Sequence, residues 1–269
     1  MAQFEAMSFN FAGESSISYG LYIVEFNQAK GVTTENAGNG IKIISDSIPR
    51  RPEQFIYGVQ QDAIQQITIT VGSDTQKSRA EIDKILAWLL RGEAHQLSVW
   101  QWDAEWYQYT GIFTSVQTVA VDNKLFGLQL TFTCDSPYAH TLMRKTEIRI
   151  NAPMRYMFVN DSGDSISYLR PFFRYVPLKT TQSLSIINDN DGGREFRLNL
   201  VPASNGDEAI TVDNDLQLIE SSAGNDFSRI RFSGFNYNWF RAVRGANNLY
   251  INGAGTLELH YKFARRIGA

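Results

Sequence analysis

The clearest pattern along the chain is a two-residue alternation from Phe126 to Cys134. Phe126, Leu128, Leu130, Phe132 and Cys134 are apolar, and Gly127, Gln129, Thr131 and Thr133 fill the alternate positions without a charge. This predicts a half-buried strand. Asp135-Ser136-Pro137 closes it, because Pro137 has no N–H for a ladder and Asp and Ser favour turns. Gln65 to Val71 repeats the pattern, with Ile67, Ile69 and Val71 against Gln66, Thr68 and Thr70. An uncharged Gln/Thr row fits ordinary solvent, a subunit neighbour or an aqueous lumen, and its recurrence in two strands points to one shared polar face.

The other elements follow in order. Met7 to Gly13 and Leu21 to Phe26 read as short strands around a Gly/Ser turn, and Asn27 to Gly40 as a long Gly/Asn/Thr loop. Pro49 and Pro52 forbid a regular central strand between them. One helix is predicted after Ser73, with Ser73 and Gln76 at capping-box spacing, Ile82, Ile85, Leu86 and Leu89 as its apolar stripe, Trp88 at the stripe's edge and Gly92 at C′. Leu97 to Trp102 and Trp106 to Phe113 predict a hairpin around Asp103-Ala104-Glu105, and Asp122-Asn123 turns the chain into the Phe126 strand.

From Leu142 to Ser167 the pattern weakens, which places a domain boundary near residue 141. Beyond it, strands are expected at Tyr168–Val176, Leu184–Asn188, Glu195–Val201, Ala209–Val212, Leu216–Glu220, Arg229–Phe232, Asn248–Asn252 and Thr256–Phe263. Short strands at this rhythm without helices predict a β-sandwich. The fold class is therefore mainly β, all-β apart from one helix: a sheet domain over 1–140 and a sandwich over 141–269.

Composition adds limits. The 269 residues are 43% hydrophobic and 13% aromatic, which excludes a disordered chain. The N-terminus lacks a secretory pattern and no apolar helix is long enough to span a bilayer, so a soluble chain made in the cytoplasm, without membrane insertion, is expected. The net charge of −3 is unevenly spread. Residues 1–140 carry 9 Lys+Arg against 15 Asp+Glu, and residues 141–269 carry 16 against 13. Neither half has the dense basic patch of a nucleic-acid binder, and Arg50-Arg51 and Arg265-Arg266 read as surface or interface ion pairs.

No catalytic or metal-binding pattern emerges, so no enzyme activity and no cofactor is expected. Cys134 lies on the apolar face of its strand and reads as a small buried hydrophobe. His95, His140 and His260 have no metal-ligand spacing. Asp189-Asn190-Asp191-Gly192 fails as a calcium loop, since Ile187 and Leu198 stand where Asp and Glu are needed, and reads as a hairpin turn. Asp103 and Glu105 are a possible glycosidase pair but read as ordinary turn acids. Gly38-Asn39-Gly40 reads as a flexible turn rather than part of a dinucleotide fingerprint.

Several fragments, in order, carry a resemblance. They are Phe9-Asn10-Phe11 with Gly13, Ser18-Tyr19-Gly20-Leu21, Ser47-Ile48-Pro49-Arg50, and the long strand entering Cys134-Asp135-Ser136-Pro137-Tyr138-Ala139 after one helix and a Trp/Tyr-rich hairpin. Together they resemble the first, tail-tube-like domain of siphophage distal tail proteins (Dit), from long non-contractile phage tails. Val159-Asn160 to Gly163, Pro171-Phe172-Phe173 and Gly245 to Ile251 resemble that family's galectin-like jelly-roll second domain. The resemblance implies a structural virion protein of the phage tail tip, a hexameric ring joining the tail tube to the baseplate around an open DNA channel, with its second domain projecting outward. It implies tail-tube, tail-hub or fibre, and tape-measure proteins as partners, with DNA passing through the lumen without specific binding. An arm over about residues 27–64 would close the ring through Ile48, Pro49, Arg50, Arg51, Phe55 and Tyr57. Gln66, Thr68, Thr70, Gln129, Thr131 and Thr133 would face the lumen. The alternative reading is a carbohydrate-binding protein recognising host cell-surface glycan, with Tyr237 or Trp239 stacking on sugar.

Overall fold

A computed structural model of the chain describes residues 8–24, 41–47, 49, 52–61, 66–99, 106–121, 124–163, 168–202, 208–223 and 228–265. The expected loop at 27–40, the turns at 103–105 and 122–123, Trp102 and Arg266 lie outside them. The chain divides into two compact units, Met1–Thr141 with Arg265–Ala269, and Leu142–Ala264.

The first unit is a nine-stranded sheet with one helix. In chain order its elements are β1 (Phe9–Phe11), β2 (Glu14–Ser15), β3 (Tyr22–Ile23), the separate hairpin β4 (Ile41–Ser47) and β5 (Gln54–Gln61), then β6 (Gln66–Gly72), α1 (Arg79–Leu89), β7 (His95–Val99), β8 (Tyr107–Val121), β9 (Lys124–Cys134) and β10 (Ala139–Thr141). The sheet order is β2-β1-β7-β8-β9-β6-β3, with β10 on β8 and the closing strand Ala264–Arg265 on β10. Its core takes Ile67, Ile69 and Val71 from β6 and Leu128, Leu130, Phe132 and Cys134 from β9, so the expected apolar faces are the buried ones.

The helix begins later than its sequence reading. Ser78, not Ser73, is the N-cap. Glu81 N donates to Ser78 Oγ at 3.3 Å, while Ser78 N and Oγ donate to Glu81 Oε2 at 2.8 and 2.7 Å, closing the capping box. Both Ser-x-x-Gln and Ser-x-x-Glu satisfy the pattern, and the strand ladder decides between them. Ser73 N and Lys77 N donate to Phe126 O and Leu125 O, so the chain is still bound to β9 when it passes Ser73.

Gly92 is not a left-handed C′ residue. The helix stops at Leu90 (φ −87°, ψ 63°), and Arg91 Nε donates to Trp88 O at 3.0 Å, supplying the partner a glycine cap would have given. Trp88 extends the apolar stripe from its edge and is itself buried. Its indole lies between Tyr19 (4.4 Å, 9°) and Phe9 (5.7 Å, 10°), and its Nε1 donates to Phe11 O. This one side chain fastens α1 to the N-terminal strands.

The second unit packs two five-stranded sheets around one core. Its strands are β11 (Arg144–Ile150), β12 (Met154–Asn160), β13 (Phe172–Pro177), β14 (Ser183–Asn188), β15 (Arg194–Leu200), β16 (Ile210–Asp213), β17 (Leu218–Ser221), β18 (Ile230–Arg231), β19 (Gly245–Asn252) and β20 (Gly255–Tyr261). The orders are β11-β20-β13-β16-β17 and β12-β19-β14-β15-β18. β11 and β12 fall in the stretch whose pattern weakens. In β12, Met157 and Val159 are exposed opposite inward Tyr156 and Phe158, so both faces read apolar and the period-2 contrast vanishes. The expected strand from Tyr168 starts only at Phe172, after Pro171. The one expected from Leu216 starts at Leu218, because Gln217 sits in the turn at φ 58°. Asp189–Asp191 forms a short helical turn ended by Gly192 at φ 65°, joining β14 to β15 as a hairpin.

Replacing Ser78 by Ala should lower unfolding stability by about 1 kcal/mol at neutral pH, measured by urea titration. Glu81's carboxyl is held below the usual range by its hydrogen bonds from the Ser78 backbone and side chain. Its contribution is present above the ordinary carboxylate value and is lost as pH falls through the depressed one. The gap between wild type and Ser78→Ala should therefore narrow in acid.

Candidate functional site

Register brings the six expected lumen residues into one block. Gln66 pairs with Thr133, Thr68 with Thr131 and Thr70 with Gln129 across β6 and β9. All six are exposed or half-buried, opposite the buried Ile/Leu/Phe face. β8 extends the block with a row that sequence reasoning missed, since Ser115 pairs with Thr131 and Gln117 with Gln129. Farther along, Thr110 pairs with Gln96, and Ser98 with both Gln108 and Asn10. The side chains of this row from β1 to β6 are mostly hydroxyls and amides, with Ile112 beside Thr133 and Val119 beside Gly127 as apolar members and His140 opposite Gln108 as an imidazole.

A register shift at Thr114 makes this possible. β8 enters with Tyr109 and Phe113 in the core and leaves with Val116 there, so the inward parity changes from odd to even. One extra residue in the bulge absorbs the change, and Thr114 Oγ1 donates to Thr131 O at 3.3 Å and meets Thr133 Oγ1 at 3.0 Å. A strict period-2 pattern loses the strand at this point and puts Thr110 and Gln117 on opposite faces. Gly111 permits the close β8–β9 approach, since a Cβ there would lie 2.2 Å from Thr133 O.

A second surface is the β4–β5 hairpin, which pairs with no other sheet among the described residues. A register shift after Ile44 leaves Tyr57 between the pairs Ile44–Gly58 and Ser45–Ile56. Ile43 (53%), Ile44 (50%), Ile56 (62%) and Tyr57 (69%) are exposed, as is Phe55. An isolated two-stranded ribbon is marginal in water, and its apolar side chains here face outward. Of the residues expected at a ring interface, Phe55 and Tyr57 lie on this hairpin and Pro49 is exposed at its turn. Ile48, Arg50 and Arg51 lie outside the described residues. Ile43, Ile44 and Ile56 join them, signalled in the sequence only by a short apolar run.

Chemistry is sparse elsewhere. Among the described residues no group of His, Cys, Asp and Glu could hold a metal, and no helix is long and apolar enough to cross a membrane. Cys134 is buried, and desolvation pushes its thiol up to about 12. Asp103 and Glu105 lie outside the described residues. Of the two aromatics considered for sugar, Trp239 is half-buried against Phe235, whereas Tyr237 is 71% exposed.

The chain is similar to known phage tail proteins. The family described as "Phage tail protein N-terminal domain" matches residues 4–136, and "Phage tail C-terminal domain" matches residues 138–261. The chain belongs to this phage tail protein family. No curated protein matches it in sequence. Solved structures share its fold at low identity. The Dit protein of phage SPP1, described as a paradigm of the hub adsorption apparatus in phages infecting Gram-positive bacteria, is 11% identical with a TM-score of 0.66, over 95% of this chain and 98% of that one. A chain of the phage p2 baseplate in its activated conformation with Sr is 9% identical with a TM-score of 0.53, over 94% and 97%. The phage tail protein thus has the distal-tail-protein fold, mainly β with one helix, and is a component of the virion.

In this phage tail protein Cys134 should stay unreactive towards a thiol reagent at pH 8 while folded, and react fully in denaturant. Rapid labelling of the native protein would contradict the buried placement.

Proposed function

We propose that this chain is a distal tail protein that assembles into a ring, hexameric by family resemblance, joining the tail tube to the tail tip or baseplate. The first domain, over 1–140, forms the ring. The observation that carries this reading is the uncharged hydroxyl and amide block across β8, β9 and β6. A channel that passes DNA must neither bind phosphates nor expose apolar surface to water, and Thr, Ser and Gln side chains on a rigid sheet meet both conditions. The excess of acid in the first 140 residues adds a repulsive field that keeps DNA off the wall.

The exposed apolar hairpin supplies ring closure. Its side chains gain by burial on a neighbouring copy, and a heterologous contact of this kind generates a closed ring when its rotation is right. The SPP1 Dit protein comes from a hub adsorption apparatus and the p2 chain from a baseplate. By that likeness the partners here are the tail-tube protein above, hub or fibre proteins below and the tape-measure protein, with synthesis in the host cytoplasm and a structural, non-catalytic role.

Light scattering on the purified protein should give a mass of about six times 30.4 kDa, or a rise towards it with concentration or added tube protein. Ile56→Asp combined with Tyr57→Asp should hold the protein at 30.4 kDa with an unchanged circular dichroism spectrum, and an intact ring in that variant would refute closure by the hairpin.

Lysine at Thr68 and Thr131 should slow DNA ejection from assembled virions, in proportion to added charge and less so at high salt. Ejection kinetics equal to wild type would remove these residues from the channel wall.

A further inference from the structure

Each sheet of the second unit has two edge strands, and all but one of these edges are blunted. β11 carries Lys145, Glu147 and Arg149 outward, β17 is four residues long and β18 is two. Charge and shortness keep an edge strand from pairing with foreign backbone. β12 has neither protection along most of its length. It runs for seven residues without proline or lysine, and its register against β19 is unbroken from Met154–Ile251 to Asn160–Gly245. Among the described residues β19 is the only strand it pairs with.

One hydrogen bond tells which backbone groups of β12 are free. Asn248 N donates at 2.8 Å to Asn190 Oδ1, in the turn that follows β14, on the far side of β19 from β12. The N–H and C=O of one strand residue point the same way, so Asn248 turns both away from β12, and its pair with Met157 carries no ladder bonds. Met157 therefore presents its own N–H and C=O to the open side of the sheet. Arg155 and Val159, two residues to either side, do the same. Their side chains also share the outer face. Met157 is 64% exposed, Val159 50% and the Arg155 side chain 75%, while Phe158 lies in the core and Tyr156 packs against it. Apolar side chains and open backbone groups thus coincide on one edge. Arg155 gives Nη1 to Asp189 Oδ2 at 3.0 Å, an exposed pair that uses one of the several donors of a guanidinium.

We propose that β12 is a docking edge that takes an extended segment of another protein as an added antiparallel strand, with apolar residues opposite Val159 and Met157 and a carboxylate opposite Arg155. In the segment's own direction the requirement is apolar-x-apolar-x-acid. The backbone groups select an extended main chain, because another strand offers acceptors and donors at the same spacing. Methionine and valine select the apolar positions and the arginine the carboxylate, since residues directly opposite one another across a strand pair are in contact. A second copy of β12 is a poorer occupant, because two-fold pairing about Met157 sets Arg155 of each copy against Val159 of the other and supplies no carboxylate. The edge lies wholly in the second unit, and its role does not depend on ring closure.

The test is fluorescence anisotropy of a labelled, end-blocked peptide containing Val-Thr-Val-Thr-Glu, titrated with the full chain. Wild type should bind it saturably. Met157→Pro should abolish binding yet keep cooperative unfolding and the circular dichroism spectrum of wild type, because proline there removes an N–H that no ladder bond uses. Lysine at both Met157 and Val159, which leaves the backbone intact, should weaken binding at least about tenfold, and this variant alone decides if the proline variant fails to fold. Lysine in place of the peptide's glutamate should weaken binding about threefold, and Arg155→Glu should reverse that preference. No saturable binding by wild type, full binding by the folded variants, or a carboxylate preference unmoved by Arg155→Glu would overturn the assignment. So would a solution mass that Met157→Pro halves, which would give the edge to a second copy.

Discussion

Everything in the first unit depends on keeping one face of a twisted sheet dry and the other free of charge across β8, β9 and β6. Side chains alternate along each strand, so a shift by one residue would exchange the two faces. β6 and β9 run in phase over their whole pairing, from Gln66 opposite Thr133 to Gly72 opposite Gly127. β8 is longer and cannot stay in phase, and the extra residue at Thr114 restores it. That bulge lets Phe113 and Val116 both pack inward while Ser115 and Gln117 join the polar face. Trp88 then covers the opposite side, clamped between Tyr19 and Phe9.

The two units differ in what they leave unfinished. In the second, backbone groups of the irregular segment before β19 are met by asparagine side chains and, at Ala242, by the backbone of Leu169. In the first, the β4–β5 hairpin satisfies its backbone by its own ladder but leaves Ile43, Ile44, Ile56 and Tyr57 in water. Hydrogen bonding is a local debt and the hairpin settles it. Apolar burial needs a second surface, and among the described residues the hairpin joins no other sheet.

Charge follows the same division. The edge strand β11 carries Lys145, Glu147 and Arg149 outward, with Lys145 Nζ 2.8 Å from Glu258 and Arg149 Nε 3.1 Å from Glu147. Charges on an edge discourage unwanted pairing. Among the described residues, the polar face across β8, β9 and β6 carries no such charges, although β9 begins at Lys124.

The sequence by itself determined the burial faces of β6, β9 and β20 and the apolar stripe of α1, because pleat and helix periods are local properties of the chain. It marked Gln66, Thr68, Thr70, Gln129, Thr131 and Thr133 as one kind of surface for the same reason. It misplaced the helix cap, since two Ser-x-x-Gln/Glu patterns compete locally and only the ladder to Leu125 and Phe126 excludes the first. It passed over β12, whose outer face is as apolar as its inner one. Only the tertiary structure decided the register in which β6, β9 and β8 meet, that Thr114 is the residue set aside, and that asparagines far apart in sequence meet along one irregular segment. Those outcomes depend on pairings between distant residues, which no local period encodes.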